Sequence, residues 1–205
     1  MSRLRVVPIV EGHGEVESVR LLLERIHYEI AEGEGIEVLR PIRRPRSKFV
    51  RHGEAAVDRS EIVAALSLAE LRLRERRDGT REWVLLLLDA NGDLPCVLAP
   101  ALIAVAREEM DHLDFSCVLA AEEYETWFVA AAESLGEFID LSRTPGVPAD
   151  PEASGSKKAW IGQRMAGRYS ETVDQPALTA AMDLGMCRRR SPSFDKLCRE
   201  VEARR

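Results

Sequence analysis

The spacing of apolar residues changes several times along the chain, and each change marks an element. Residues 4–10 form a short, valine-rich apolar run followed at once by Glu11-Gly12-His13-Gly14, after which Val16, Val19, Leu23, Ile26 and Ile30 recur at intervals of three and four. This spacing predicts a strand, a tight turn and a helix that the 33–35 glycine stretch stops. A short strand is expected at 36–39. The Pro-punctuated basic stretch at 40–51 has no apolar period and reads as a loop or arm. Ile62, Leu66, Ala69 and Leu73 share one helical face, with Asp78-Gly79 to close the helix. Residues 83–88 are apolar without alternation, as in a central parallel strand covered on both faces, and run directly into Asp89-Ala90-Asn91-Gly92-Asp93.

Helical spacing returns over 96–110, another apolar strand is expected at 115–120, and Tyr124, Trp127, Phe128 and Ala131 fall on one helical face. The order β-α-β-α-β-α-β-α predicts an α/β, Rossmann-like fold. Its mostly parallel sheet of about four strands would be flanked by helices, with ligands gathering where strands end. Residues 140–156 read as a surface loop or linker. Ser191 as N-cap and Pro192 at the first helical position open a last helix with Phe194, Leu197, Cys198 and Val201 on one face. The expected organisation is an α/β core at 1–140 and a loop plus C-terminal helical extension at 141–205 packed on it.

At 205 residues, 45% hydrophobic and 31% charged, the chain is large enough for a core without disulfide or metal staples, and disorder and coiled coil fit poorly. Its longest apolar runs fall far short of the roughly 20 residues of a membrane helix, and no signal-peptide pattern opens it. Four cysteines without CxxC spacing suit a reducing compartment, so a cytoplasmic location is expected. The net charge of −6 argues against a polyanion partner, but it hides an uneven distribution. Arg40, Arg43, Arg44, Arg46, Lys48 and Arg51 form an acid-free stretch, and Arg188, Arg189 and Arg190 a second cluster.

Glu11 follows the first strand and Asp89 ends the central one, with Asp93 just beyond and Glu15 opening the first helix. If the two strands are neighbours, like charges about 4 Å apart repel by about 4 kcal/mol at an effective dielectric of 20. Protonation or a divalent cation would relieve that. Glu11, Asp89, Asp93 and Asn91 form a hard, all-oxygen set suited to Mg²⁺ or Mn²⁺, and such an ion would orient a phosphodiester for attack by water. The same acids could simply cap helices and shape turns. His13, between two glycines, could orient water or merely be exposed.

These residues resemble the Toprim domain of topoisomerases, primases and overcoming-lysogenization-defect nucleases. More closely, they resemble an uncharacterised Toprim-like bacterial family, often encoded beside ATPase genes, in which EGxxE, DxxGD, E-x-E-x-W and an SF-containing C-terminal helix recur in order. Here these are Glu11 to Glu15, Asp89 to Asp93, Glu123 to Trp127 and Ser193-Phe194. The resemblance implies a Mg²⁺ site with Glu11 as ligand or acid/base and Asp89 as ligand. Asn91 departs from the usual second aspartate, which removes one negative charge.

Glu122, Glu123 and Glu125 open the next helix, where acids either complement the dipole or, as Glu123 or Glu125, help ligate a second metal. Lys157 and Lys158 could neutralise a phosphate. Arg43, Arg44, Arg46, Lys48 and Arg51 could track a nucleic-acid backbone, with only Phe49 available for stacking. The expected activity is that of a metal-dependent nuclease or phosphodiesterase, with Glu11, Asp89 and Glu15 in the catalytic set. DNA is expected as substrate in preference to RNA, with an ATPase partner in phage defence, no membrane association and a homodimer admitted. Two alternatives stay open. One is a non-catalytic module docking an ATPase or nucleic acid. The other is a small-molecule phosphohydrolase with Asp89 as nucleophile, ranked third because no Asp-Gly-Thr continuation follows Asp89.

Overall fold

The computed structural model describes residues 3–50, 57–74, 80–143 and 146–205. Arg51 of the basic stretch and the expected helix stop at Asp78-Gly79 lie outside these residues. Strand β1 (Arg3–Val10) leads into α1 (His13–Arg25), which is prolonged by a π-helical turn, Ile26–Ile30. Strands β2 (Ile36–Val38) and β3 (Ile42–Arg43) and helices α2 (Arg46–Phe49) and α3 (Arg59–Leu73) follow. Next come β4 (Thr80–Asp89), α4 (Pro95–Glu109), β5 (Phe115–Ala120), α5 (Thr126–Ala130) and a 3₁₀ turn, Ala132–Leu135. Helices α6 (Lys157–Gly162), α7 (Glu171–Ala181), α8 (Leu184–Arg190) and α9 (Pro192–Glu202) complete the chain.

The protein is an α/β fold of Rossmann-like organisation. The sheet runs β2-β1-β4-β5, with β3 also paired to β1, and every ladder in it is parallel. The fifth strand arises because one edge is broken in two. β2 pairs with the first half of β1 and β3 with its end, Ile9 against Ile42 and Val10 against Arg43, while Pro41, which has no N–H to give, falls between them. The basic stretch is therefore no free arm. Ile42, Arg46 and Phe49 are buried, and the Arg44 amide donates to the Val10 carbonyl at 2.8 Å. Apolar residues at 42 and 49 are too few to show a period, yet each has a place in the core.

Alternate strand residues feed two cores. Val6, Val10, Trp83, Leu85, Leu87 and Val118 face α1 and the helices from α5 onward. Val7, Ile9, Val84, Leu86, Leu88 and Leu119 face α3 and α4. Right-handed crossovers place α1 opposite α3 and α4, because β1 to β2 steps one way across the sheet while β2 to β4 and β4 to β5 step the other. Helix α7 lies along α1, α9 against β5 and α8 against α5, so the C-terminal helices share one core with the strands. Ser191 Oγ accepts from the Phe194 amide at 3.2 Å, the N-cap expected for α9. Among the described residues no helix is long and apolar enough to cross a membrane.

Two packing details give measurable consequences. A Cβ on Gly14 would stand 1.8 Å from Gln175 Oε1 and 2.9 Å from the Glu171 carbonyl, so α1 and α7 can approach only because residue 14 has no side chain. Gly14→Ala is expected to cost roughly 1–3 kcal/mol in a denaturant titration, as overpacked sites do. His27 is buried against Gly33 with neither ring nitrogen hydrogen-bonded, and burial holds its pKa below the ordinary 6.5. The folded state resists the charged ring, so stability is lost as pH falls below the unfolded value. The urea midpoint of His27→Leu should therefore gain on the wild type as pH drops from 7.5 to 5.5.

Candidate functional site

Between β1 and β4 the chain reverses its direction of travel across the sheet: β1 leads outward to β2, β4 to β5. Folds of this kind form a crevice at such a switch point, outside the carboxyl ends of the two strands. Both strands end there in an acid. Asp89 closes β4, Glu11 follows Val10, and the Asp89 amide donates to Glu11 Oε2 at 3.4 Å. Asp89 is buried, and its Oδ1 accepts from the Tyr124 amide at 2.8 Å. Among the described residues neither Glu11 nor Asp89 forms an ion pair.

The turns around these acids account for much of their sequence. Glu15 reaches back so that its Oε2 accepts from the Gly12 amide at 2.8 Å, the reciprocal contact that fixes a glutamate three residues after a helix N-cap. A Cβ on Gly12 would meet that oxygen at 2.5 Å, which explains the glycine. Asn91 and Gly92 take φ of 48° and 84°, the Asn-Gly pattern of a tight reverse turn, so asparagine at 91 suits the backbone better than a bulkier residue would. Glu122, at φ 61°, turns the chain after β5, and its carbonyl accepts from the Asn91 amide at 3.0 Å. The acids expected to open a helix thus stand in the turn before α5.

Other acids gather behind the pair. Glu125 is wholly buried: its Oε1 accepts from the Tyr169 hydroxyl at 2.7 Å, and its Oε2 lies 4.0 Å from Lys158 Nζ. Lys158 also pairs with Glu171 at 2.9 Å. Desolvation lifts the pKa of Glu11, Glu15 and Asp89, most strongly for Asp89, where the charges of Glu15, Glu125 and Glu11 add to it and Lys158 opposes. Glu125 is pushed up to about 7 by burial, with Lys158 and Tyr169 acting against the rise. Lys158 holds its proton more firmly than an ordinary lysine, since the acids around it outweigh its own desolvation.

The remaining residues singled out in the sequence are dispersed. Asp93 is exposed and ion-paired with the buried Arg46, whose charge also bears on Glu11. Asn91 is exposed in its turn. Glu123 Oε2 accepts from the amides of Lys157 and Lys158, each at 2.9 Å, so it caps α6 and fixes Lys158 at the rim. Lys157 turns away, and its ammonium donates to the Ala153 and Gly155 carbonyls within a buried site. Arg43 is exposed and Arg44 half-buried beside the end of β1, while Lys48 pairs with Glu61. His13 is exposed. Tyr169, Glu171 and the Tyr124 amide were not foreseen. They come from segments whose apolar pattern is governed by packing, and no short-range signal joins them to β1 or β4.

Family comparison agrees with the extent of this arrangement. The sequence profile of a domain of unknown function, DUF4276, matches residues 10–202. The chain belongs to the DUF4276 family. No curated protein and no solved structure matches it. The profile spans both the strand-end acids and the C-terminal helices of this DUF4276 chain, so the family unit includes the layer that delivers Lys158 and Tyr169.

Among the described residues no three His, Cys, Asp or Glu side chains are arranged to hold a metal ion, so a closed cage does not fit. Mg²⁺ asks for less. It is commonly held by one or two carboxylates, keeping waters that substrate phosphates displace. Glu11 and Asp89, hard oxygen donors that form no ion pair among the described residues, fit that requirement.

The charge pattern has a direct test. Because folding raises the pKa of Glu125, its penalty is absent below the unfolded value near 4.5, grows as pH rises and levels off above about 7. Glu125→Gln removes it. Its stability relative to the wild type should rise between pH 5 and pH 8 by on the order of 2 kcal/mol, read from urea midpoints at each pH.

Proposed function

We propose that this DUF4276 chain is a Toprim-type phosphodiester hydrolase, a nuclease dependent on Mg²⁺ or Mn²⁺. The reading extends to DNA as substrate in preference to RNA and to an effector role beside an ATPase. The observation that carries the chemistry is the meeting of Glu11 and Asp89, 78 residues apart, at the switch point, where among the described residues neither forms an ion pair. Glu11 and Asp89 would hold the ion, which when bound supplies Lewis-acid polarisation of a phosphate.

The chain's own groups divide the remaining work. Tyr124 holds Asp89 in place through its amide, which leaves Asp89 as the fixed ligand. Glu11 is more accessible than Asp89, so it would serve either as the second ligand or, where it stands off the ion, as the group that takes a proton from water and returns one to a leaving oxygen, a role its raised pKa suits. Lys158 offers charge to a phosphate from the C-terminal layer. Arg43 and Arg44, beside the end of β1, offer it from the broken sheet edge.

One observation favours the non-catalytic alternative: Asp93, one of the oxygen donors expected beside Glu11 and Asp89, is ion-paired with Arg46. Cleavage of single-stranded, nicked and supercoiled DNA with Mg²⁺ and Mn²⁺ decides between them. Glu11→Gln and Asp89→Asn are each expected to lower kcat/KM by about a hundredfold or more while the fold persists. Undiminished activity in both would reject the assignment. Absence of cleavage together with absence of any Mg²⁺-dependent rise in Tm would leave the binding module.

A further inference from the structure

Ser191 already caps α9, so Ser193, two residues on, is free of that duty, and its hydroxyl works outside the helix. Ser193 Oγ accepts from the Trp127 indole Nε1 at 3.0 Å and from the Ala121 amide at 3.4 Å. These two donors fill its lone pairs, so the hydroxyl gives its own proton away. The proton goes to Ser191 Oγ at 3.2 Å, because Ser191 donates its own to Glu152 Oε1 at 2.6 Å. The Ser193 amide donates to the same Glu152 oxygen at 2.8 Å. Two hydroxyls and one carboxylate thus form a chain of fixed direction, which presents the Ser193 oxygen as an acceptor to the turn after β5.

That turn carries the contact that holds Asp89. The Ala121 carbonyl accepts from the Glu123 amide at 2.9 Å and from the Thr126 hydroxyl, and the Tyr124 carbonyl accepts from the Trp127 amide at 3.1 Å. Between these, the Tyr124 amide donates to Asp89 Oδ1 at 2.8 Å. Ser193 therefore grips both ends of the span, Ala121 by its amide and Trp127 by its indole. Trp127 is wholly buried, with the Phe194 ring edge-on at a centroid separation of 5.3 Å, so an indole N–H deprived of its acceptor would stay unpaired. We propose that Ser193 is a positioning residue for Asp89: through the turn at 121–127, the start of α9 sets where the Tyr124 amide stands, and so how the carboxylate is presented to a divalent cation. The cation rests on the nuclease reading, whereas the placing of Asp89 rests on these contacts alone. A hydroxyl that only fills space can be replaced by any group of its size, but one that serves as acceptor can be replaced only by another acceptor. Ser193 borders a groove of about 430 Å³ between α4 and α9, which leaves room for the extra methyl of a threonine.

The test uses the full chain with Ser193→Ala, Ser193→Thr and Ser193→Cys, the last nearly keeping the volume but accepting poorly, in case Ser193→Ala compromises folding. Hydrogen exchange of the Tyr124 amide, measured without metal, is expected to quicken about tenfold in Ser193→Ala and Ser193→Cys and to return to the wild-type rate in Ser193→Thr, while amides at the centre of β4 keep theirs. Titration of Mg²⁺ alone by calorimetry should show an affinity about tenfold weaker in Ser193→Ala and restored in Ser193→Thr. In cleavage of supercoiled DNA, kcat should fall about tenfold in Ser193→Ala while KM holds. Unchanged Tyr124 exchange in both Ser193→Ala and Ser193→Cys would overturn the proposal. So would acceleration shared equally by β4, which marks a general loss of stability, a Ser193→Thr chain no better than Ser193→Ala, or unaltered Mg²⁺ affinity once the Tyr124 amide is released. If the wild type neither binds Mg²⁺ nor cleaves DNA, the nuclease reading fails by itself, and the exchange rates still decide whether Ser193 places Asp89.

Discussion

Glu11, Glu15, Asp89, Glu125 and Glu171 crowd the carboxyl-end rim of the sheet, where the cations acting on them are Lys158 and, at Glu11, the Asp93-paired Arg46. The imbalance is the constraint to which the surrounding structure answers. Two such charges about 4 Å apart at an effective dielectric of 20 cost about 4 kcal/mol, a large share of the stability of a domain this size. Burial and the neighbouring acids lift the pKa of Glu125 and Asp89, which favours a proton on either, and Lys158 offsets part of the cost. The rest can be met by a counterion or a cationic partner.

This gives the C-terminal layer a purpose beyond covering apolar strand residues. Lys158 opens no long helix and would wander on a loop. It is held because Glu123 caps α6 through the amides of residues 157 and 158, while Lys157 anchors the preceding turn through the Ala153 and Gly155 carbonyls. Glu152 performs a similar service at the other end, its Oε1 accepting from the Ser191 hydroxyl at 2.6 Å and the Ser193 amide at 2.8 Å. The segment that reads as a linker is thus tied to the rim at one point and to α9 at another. A proline- and serine-rich composition cannot reveal this, because each tie joins a carboxylate to amides or a hydroxyl from a distant part of the chain.

What the sequence made legible follows the same division between local and distant causes. Continuous apolar strands at 83–88 and 115–120, helical spacing over 16–30 and 62–73, and the Ser191-Pro192 start of α9 are local signals, and each matches an element. The placement of Glu11 and Asp89 at strand ends was legible for the same reason. Their adjacency depended only on β1 and β4 being neighbours. Asp93 is taken by Arg46 and Glu123 by the start of a distant helix, and neither partner is announced by residue type, whereas Glu15 follows the local capping pattern three residues after Gly12. The basic stretch misled because a two-residue strand and a four-residue helix are shorter than any period.

The rim and the β5 edge are joined by a single short segment, residues 120–124. Ala120 lies opposite Asp89 in the β4–β5 ladder, the Ala121 amide donates to Ser193 Oγ of α9 at 3.4 Å, the Glu122 carbonyl holds the Asn91 turn, and the Tyr124 amide holds Asp89. Glu122 adopts a left-handed conformation that costs a non-glycine residue something of the order of 1 kcal/mol. The expense is explained if one tight turn must satisfy contacts on both sides. A relaxed turn would move the Tyr124 amide off Asp89, and burial of that carboxyl would then go uncompensated. Geometry at the end of β5 and charge at the end of β4 are therefore not independent: the turn that finishes the edge strand also positions the Asp89 carboxylate.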